Sequence, residues 1–174
     1  VNHRNLWAPW RRAYLESLLA QEFDLDEVQP AKGSFLAEYW AQPERDEINH
    51  VIHRDAHGMI LLNRYPYANG HLLVALGEPR PTLLEYGESQ RAAFWRLVDR
   101  AMALMECALA PQGVNVGINQ GRAAGAGVPD HLHAHLVPRW NADTNFMSVV
   151  GAVRVIPDAL SAMDARFRAV SDKV

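Results

Sequence analysis

The run His131-Leu132-His133-Ala134-His135-Leu136-Val137-Pro138 constrains this chain more than any other feature. In an extended strand, side chains at i, i+2 and i+4 share one face. Residues 131–139 are therefore predicted to form a strand with three imidazoles on one face and Leu132, Ala134 and Leu136 on the other. An unperturbed imidazole titrates near 6.5, so it can serve as nucleophile, acid or ligand around neutral pH. One histidine on a strand is usually just a satisfied polar residue. Three in alternation, behind Asn119-Gln120-Gly121 and a glycine-rich stretch, call for a function. A metal is one option, because two histidines at i and i+2 can share a zinc ion with Zn–N distances of about 2.0–2.1 Å. The outer pair is separated by about 13 Å of backbone at roughly 3.3 Å per residue, so all three converge on one ion only if the strand bends.

The surrounding pattern predicts a sheet. Residues 50–54, 58–63 and 71–76 read as successive strands, with a hairpin turn at 55–58 and a longer loop at 65–70. Residues 89–109 carry Phe94, Leu97, Ala101, Leu104, Met105 and Ala108 on one helical face, and Pro111 and Gly113 stop that helix. A fourth strand over 114–119 precedes the histidine strand, and a short helix is expected within 157–170. At the other end, Trp7, Trp10, Tyr14, Leu15, Leu18 and Leu19 give 5–21 the spacing of an amphipathic helix, with Pro9 near its first turn. No firm element is assigned to the acidic, turn-rich 23–43. Consecutive strands joined by short connections favour an antiparallel sheet with the long helix on one face, an α+β fold.

Length and composition fit one compact domain over 1–174. Nearly half the residues are apolar and the formal net charge is −3, which indicates neither disorder nor a nucleic-acid-binding surface. No apolar run reaches membrane-spanning length and no signal peptide is recognisable, so neither a membrane nor nucleic acid is expected as a partner. Cys107 is the single cysteine, which excludes an internal disulfide, and its apolar surroundings predict an inert core thiol. A cytoplasmic location is the expectation.

The pattern His-apolar-His-apolar-His-apolar-apolar at 131–137 resembles the signature of the histidine-triad (HIT) nucleotide-binding family. Two further blocks carry the resemblance. One is Leu61-Leu62-Asn63-Arg64-Tyr65-Pro66 leading to Asn69-Gly70-His71-Leu72; the other is Asn115-Val116-Gly117-Ile118-Asn119-Gln120-Gly121. Together they span about 50–140, with an N-terminal helical extension over 1–45 and a C-terminal extension over 141–174. Leu6-Trp7-Ala8-Pro9-Trp10-Arg11 and Asp143-Thr144-Asn145-Phe146 look like a bacterial subgroup related to diadenosine-polyphosphate phosphorylases. The resemblance implies a HIT-like antiparallel sheet of about five strands with one long helix packed on it. It also implies a homodimer formed by extending the sheet across a two-fold axis.

It further implies a nucleotidyl-transferring enzyme that cleaves nucleoside 5′-polyphosphates, with dinucleoside polyphosphates as the expected substrates and an adenine-type base. By carry-over, His133 is the nucleophile that forms a nucleotidyl-histidine intermediate, and His131 and His135 contact phosphate oxygens or orient the site. His71 matches an additional active-site histidine, with a plain polar strand-start residue as its alternative. Asn63 matches a ribose-binding position, with a structural Asx turn as its alternative. Asn119 and Gln120 carry amides able to donate to phosphate oxygens, and Gly127 closes a glycine-rich loop whose N–H groups can surround an anion. Arg122 and Arg139 can add positive charge. No cofactor is required, although Mg²⁺ can arrive bound to the polyphosphate.

Two departures qualify the resemblance. Gly127-Val128-Pro129-Asp130 lacks the hydroxyl residue that many relatives carry ahead of the triad, so the leaving-group acid is unassigned. Gly33-Ser34-Phe35-Leu36 stands where related bacterial proteins carry a zinc-binding Cys-x-x-Cys, so no structural zinc is predicted. His50 is then a remnant of such a site or a surface residue. A slow nucleotide-binding or sensor protein, and a metal-dependent enzyme using the His131/His133 pair, are the alternative functions.

Overall fold

The structure, a computed structural model, describes residues 34–141, 143 and 158–174. The helix expected at 5–21, Trp7, Trp10 and most of the 143–146 block lie outside the described residues. Five strands form one antiparallel sheet: β1 (Val51–Arg54), β2 (Gly58–Leu62), β3 (Leu72–Leu76), β4 (Gly113–Ile118) and β5 (His133–Arg139), in the order β1-β2-β3-β5-β4. Helix α1 spans Phe35–Ala41, α2 spans Glu88–Leu109 and α3 spans Leu160–Ser171. The α+β architecture and each strand inferred from the sequence are present, with boundaries shifted by one or two residues.

Directly opposed residues on neighbouring antiparallel strands share a face. Leu73 pairs with His135 and Ala75 with His133, while Leu61 and Met59 pair with Leu73 and Ala75. The histidines therefore share a face with Met59, Leu61, Leu73 and Ala75, and Leu36 of α1 packs there. The other face is the main core. Leu72, Val74, Leu132, Ala134 and Leu136 meet Phe94, Leu97, Ala101, Leu104 and Met105 of α2 and Met163 and Phe167 of α3. The two-residue alternation of the histidine run thus separates the apolar core from the polar face. Helix α2 ends at Leu109, with Ala110 in the left-handed region (φ 45°) and Pro111 following. Proline's missing N–H prevents further helical bonding.

Two expectations need correction. Residues 23–43 contain helix α1, whose N-cap is Ser34. Cys107 is exposed, not a core thiol: it follows the exposed Glu106 on the outward side of α2 while Leu104 and Met105 turn inward. Among the described residues, no helix is long and apolar enough to cross a membrane.

Candidate active site

His131 precedes β5 and is fully buried. Its Nε2 lies 2.7 Å from the carbonyl oxygen of Leu76, at the end of β3. A carbonyl only accepts, so Nε2 carries the proton. Burial holds the His131 pKa below its ordinary value, outweighing the Leu76 carbonyl that favours the charged ring, and neighbouring His133 lowers it further. The neutral ring then presents a lone pair at Nδ1, 2.9 Å from the Ser34 hydroxyl. Both ring nitrogens of His131 are thus engaged within the protein, one by Leu76 and one by Ser34.

His133 is 5% exposed, and its Nδ1 lies 2.9 Å from the carbonyl oxygen of His131. That contact requires Nδ1–H, which leaves the lone pair of the neutral ring on Nε2. Burial pulls the His133 pKa below 6.5 despite the carbonyl bond that favours the charged form. The ring is thereby held in the tautomer and charge state a nucleophile needs.

His71 and His135 form a second chain. The Tyr67 N–H donates to His71 Nδ1 at 3.1 Å, so a neutral His71 carries its proton on Nε2. That nitrogen lies 3.0 Å from His135 Nδ1. His135 then carries its proton on Nε2 and can donate it to an anion. Its pKa is lowered to about 4, first by burial and then by His133, so the ring is neutral at physiological pH. The His133 and His135 rings meet edge to face with centroids 4.9 Å apart, and Tyr67 stacks on His135 at 5.8 Å. The His133 and His135 rings are thus neighbours on one face.

The remaining predicted residues divide. Asn63 Oδ1 accepts from the Tyr65 N–H at 2.9 Å, an Asx turn, while Nδ2 lies 3.3 Å from His71 Nδ1. This Asx turn builds the loop that supplies the Tyr67 N–H. The β4–β5 pairing ends at Ile118 opposite Ala134, and Asn119 follows directly after it. Gln120 is drawn away, with Oε1 accepting from Leu83 N–H at 3.0 Å. In the glycine-rich stretch, the N–H groups of Ala124, Gly125 and Ala126 bond to the carbonyls of Gly121 and Arg122 and are unavailable to an anion. Gly127 is exposed, with open space around its Cα. Arg139 pairs with Asp143 at 2.5 Å and contacts Asn115, so it is committed locally. Ser34, Tyr67 and the Leu76 carbonyl were missed in the sequence, and only Ser34 had a detectable signal there, as a serine before an apolar helix.

Among the described residues, the donor set does not fit a zinc site near the triad. A His131/His133 pair cannot share an ion when three of its four nitrogens are hydrogen-bonded. Ser34, in the segment where the zinc cysteines were sought, uses its hydroxyl on His131. His50 Nδ1 lies 3.2 Å from Asp164 Oδ1, and Arg168 holds the same carboxylate at 2.6 Å. It therefore ties α3 to the start of β1.

The lowered pKa values of His133 and His135 set a pH expectation. Protonation removes the His133 lone pair, so a depressed pKa preserves the reactive form into acid. The acid limb of kcat/KM should therefore fall below the free-imidazole value of about 6.5. Measured between about pH 4.5 and 8.5, an inflection at or above 6.5 contradicts this environment. Stability has the same sign: the unfolded chain binds these protons at higher pH, so stability is lost as pH falls from 6.5 through the native values.

Comparison with known proteins identifies the family. The sequence pattern of the HIT domain matches residues 44–142. The chain is 32% identical over 158 residues to a Mycobacterium tuberculosis protein named AP-4-A phosphorylase, covering 90% of this chain and 78% of the relative. It is 30% identical over 93 residues to the Schizosaccharomyces pombe asymmetrical bis(5′-nucleosyl)-tetraphosphatase, covering 53% of this chain and 50% of that one. Among solved structures, a Zn-bound histidine triad family protein from Mycobacterium smegmatis superposes with a TM-score of 0.63 at 29% identity. That match covers 81% of this chain and 96% of the other. Matched in sequence across its centre and in fold across most of its length, the chain belongs to the HIT domain family.

Proposed function

We propose that this chain cleaves dinucleoside polyphosphates by transferring a nucleotidyl group through His133, with inorganic phosphate as the acceptor. The observation that carries the reading is the His133 ring itself: Nδ1–H is fixed on the His131 carbonyl, which leaves Nε2 unprotonated beside the His135 ring. Nε2 attacks the α-phosphorus and forms an N–P bond while the bridging P–O bond breaks, and the remaining nucleoside polyphosphate departs with that electron pair. Positive charge developing on His133 is stabilised by the carbonyl at Nδ1. Negative charge on the phosphoryl oxygens is stabilised by the His135 Nε2–H, a donor already in position before the reaction. A phosphate oxygen then attacks the same phosphorus, releasing a nucleoside diphosphate and restoring the neutral ring.

The preference for phosphate over water rests on likeness across 90% of the chain to a protein named as a phosphorylase. The imidazole supplies the nucleophile, so the reading assigns no resident cofactor, and Mg²⁺ enters on the polyphosphate. Asn119 and Asn63 are assigned to the phosphate and ribose ends, with the Asn63 Nδ2 lying 3.3 Å from His71 Nδ1. The assembly assigned is a homodimer through β4, an edge strand with Val116 41% exposed and open space beside Gly113 and Gly117. A cytoplasmic location completes the assignment.

The test is product analysis with diadenosine tetraphosphate, with and without inorganic phosphate. ADP and ATP formed only with phosphate is the expected result. AMP and ATP without phosphate makes the chain a hydrolase using the same histidine. Binding of AMP without turnover leaves the slow nucleotide-binding protein.

A further inference from the structure

We propose that Ser34 is a positioning residue for the reaction at His133, acting through His131. This rests on the nucleotidyl-transfer reading above. The Ser34 Oγ accepts the Leu36 N–H at 3.2 Å and so caps α1. Capping uses only an oxygen lone pair, which leaves the hydroxyl proton free to be donated. Its acceptor is His131 Nδ1 at 2.9 Å, 97 residues away in the chain, in a contact where Ser34 is 8% exposed and His131 0%.

The direction of each bond follows from the one before. Leu76 can only accept, so His131 Nε2 donates and the neutral ring accepts from Ser34 at Nδ1. Held at both nitrogens, the ring fixes the backbone of its own residue, whose carbonyl accepts the His133 Nδ1–H. Four hydrogen bonds thus run in series from the Leu36 amide and the Leu76 carbonyl to the nucleophile's ring. The hydroxyl is the one member that can be removed without touching a histidine or the backbone. Without it, His131 Nδ1 is a buried lone pair with no donor, and the ring can rotate or exchange tautomer. The carbonyl beneath His133 is then less firmly placed. Small displacements at a reacting nitrogen are costly, because attack requires alignment within about 3–3.5 Å. A serine that merely capped a seven-residue helix would affect folding and leave the chemistry of folded molecules intact.

The experiment compares wild type, Ser34→Ala and Ser34→Thr in single-turnover cleavage of diadenosine tetraphosphate with saturating excess enzyme, following ATP release. The rate then reports folded molecules only. The expected result is a transfer rate lowered about 10–100-fold in Ser34→Ala, the range typical of lost outer-shell partners. KM should stay within about twofold, and Ser34→Thr, which restores a hydroxyl, should recover the rate. An unchanged Ser34→Ala single-turnover rate, even with a reduced folded fraction, overturns the proposal. In parallel, ¹⁵N NMR of the histidine rings in ligand-free protein should show His131 with Nε2 protonated and Nδ1 hydrogen-bonded, and the Nδ1 signal should shift in Ser34→Ala. A His131 ring protonated at Nδ1, or one indifferent to Ser34→Ala, also overturns it. Absence of ATP release from wild type rejects the functional reading instead, and the NMR comparison then decides the hydrogen-bond chain on its own.

Discussion

His133→Ala should lower cleavage of diadenosine tetraphosphate by on the order of 10⁴-fold or more, with the protein still folded, as expected when a covalent nucleophile is deleted. The size follows from what the ring contributes. It is the group whose Nδ1–H is fixed on a backbone carbonyl, leaving Nε2 unprotonated, and without it the two-step route through a covalent intermediate is lost. Folding should tolerate the change better than activity does. His133 sits on the sheet face opposite the main core, so truncation leaves the α2 and α3 packing intact. Circular dichroism and a melting curve, measured beside the steady-state rate, separate the two effects. Retention of full activity by a clean His133→Ala preparation removes the nucleophile assignment.

Losing the donor comes second in size. His135→Ala should reduce kcat by about 10²–10³-fold, the range seen when one preorganised donor to a developing oxyanion is deleted. His71→Ala should also reduce kcat, because His71 sets the His135 tautomer: its Nε2–H occupies His135 Nδ1 and leaves the outer nitrogen as the donor. The double variant should be no slower than His135→Ala by more than about twofold, since a residue that acts only through another adds nothing once the other is gone. Fully multiplicative losses would mean that His71 meets the substrate independently. A kcat measurement on all four proteins decides between them.

The outcome shows where sequence reasoning reaches. The alternation at 131–137 fixes which side chains face the core and which face the site, because strand geometry alternates faces whatever lies around it. It does not show that both His131 ring nitrogens are hydrogen-bonded inside the protein, because that depends on the Leu76 carbonyl and Ser34, both brought in from distant segments. Helix α1 was missed because it is a seven-residue element whose main signal is a capping serine, in a stretch read for its acidic and turn-forming residues. Gln120 was legible as an amide near the triad but not as the partner of Leu83 N–H, a contact 37 residues away. Cys107 shows the limit of composition: an apolar stretch on an amphipathic helix still has an outer face, and the thiol lies on it. The Asn63 bond to the Tyr65 N–H establishes a turn without bearing on the ribose.

The proposed mechanism requires a covalent bond between His133 and the nucleotide. The most direct measurement is to mix the protein with diadenosine tetraphosphate in the absence of phosphate and quench it rapidly in base, where an N–P bond survives. Peptide mass spectrometry then locates any adduct. One nucleoside monophosphate is expected on the peptide containing residues 131–137, at His133, labile to acid and absent from His133→Ala. Turnover with no adduct on that peptide, or an adduct on another residue, would contradict it.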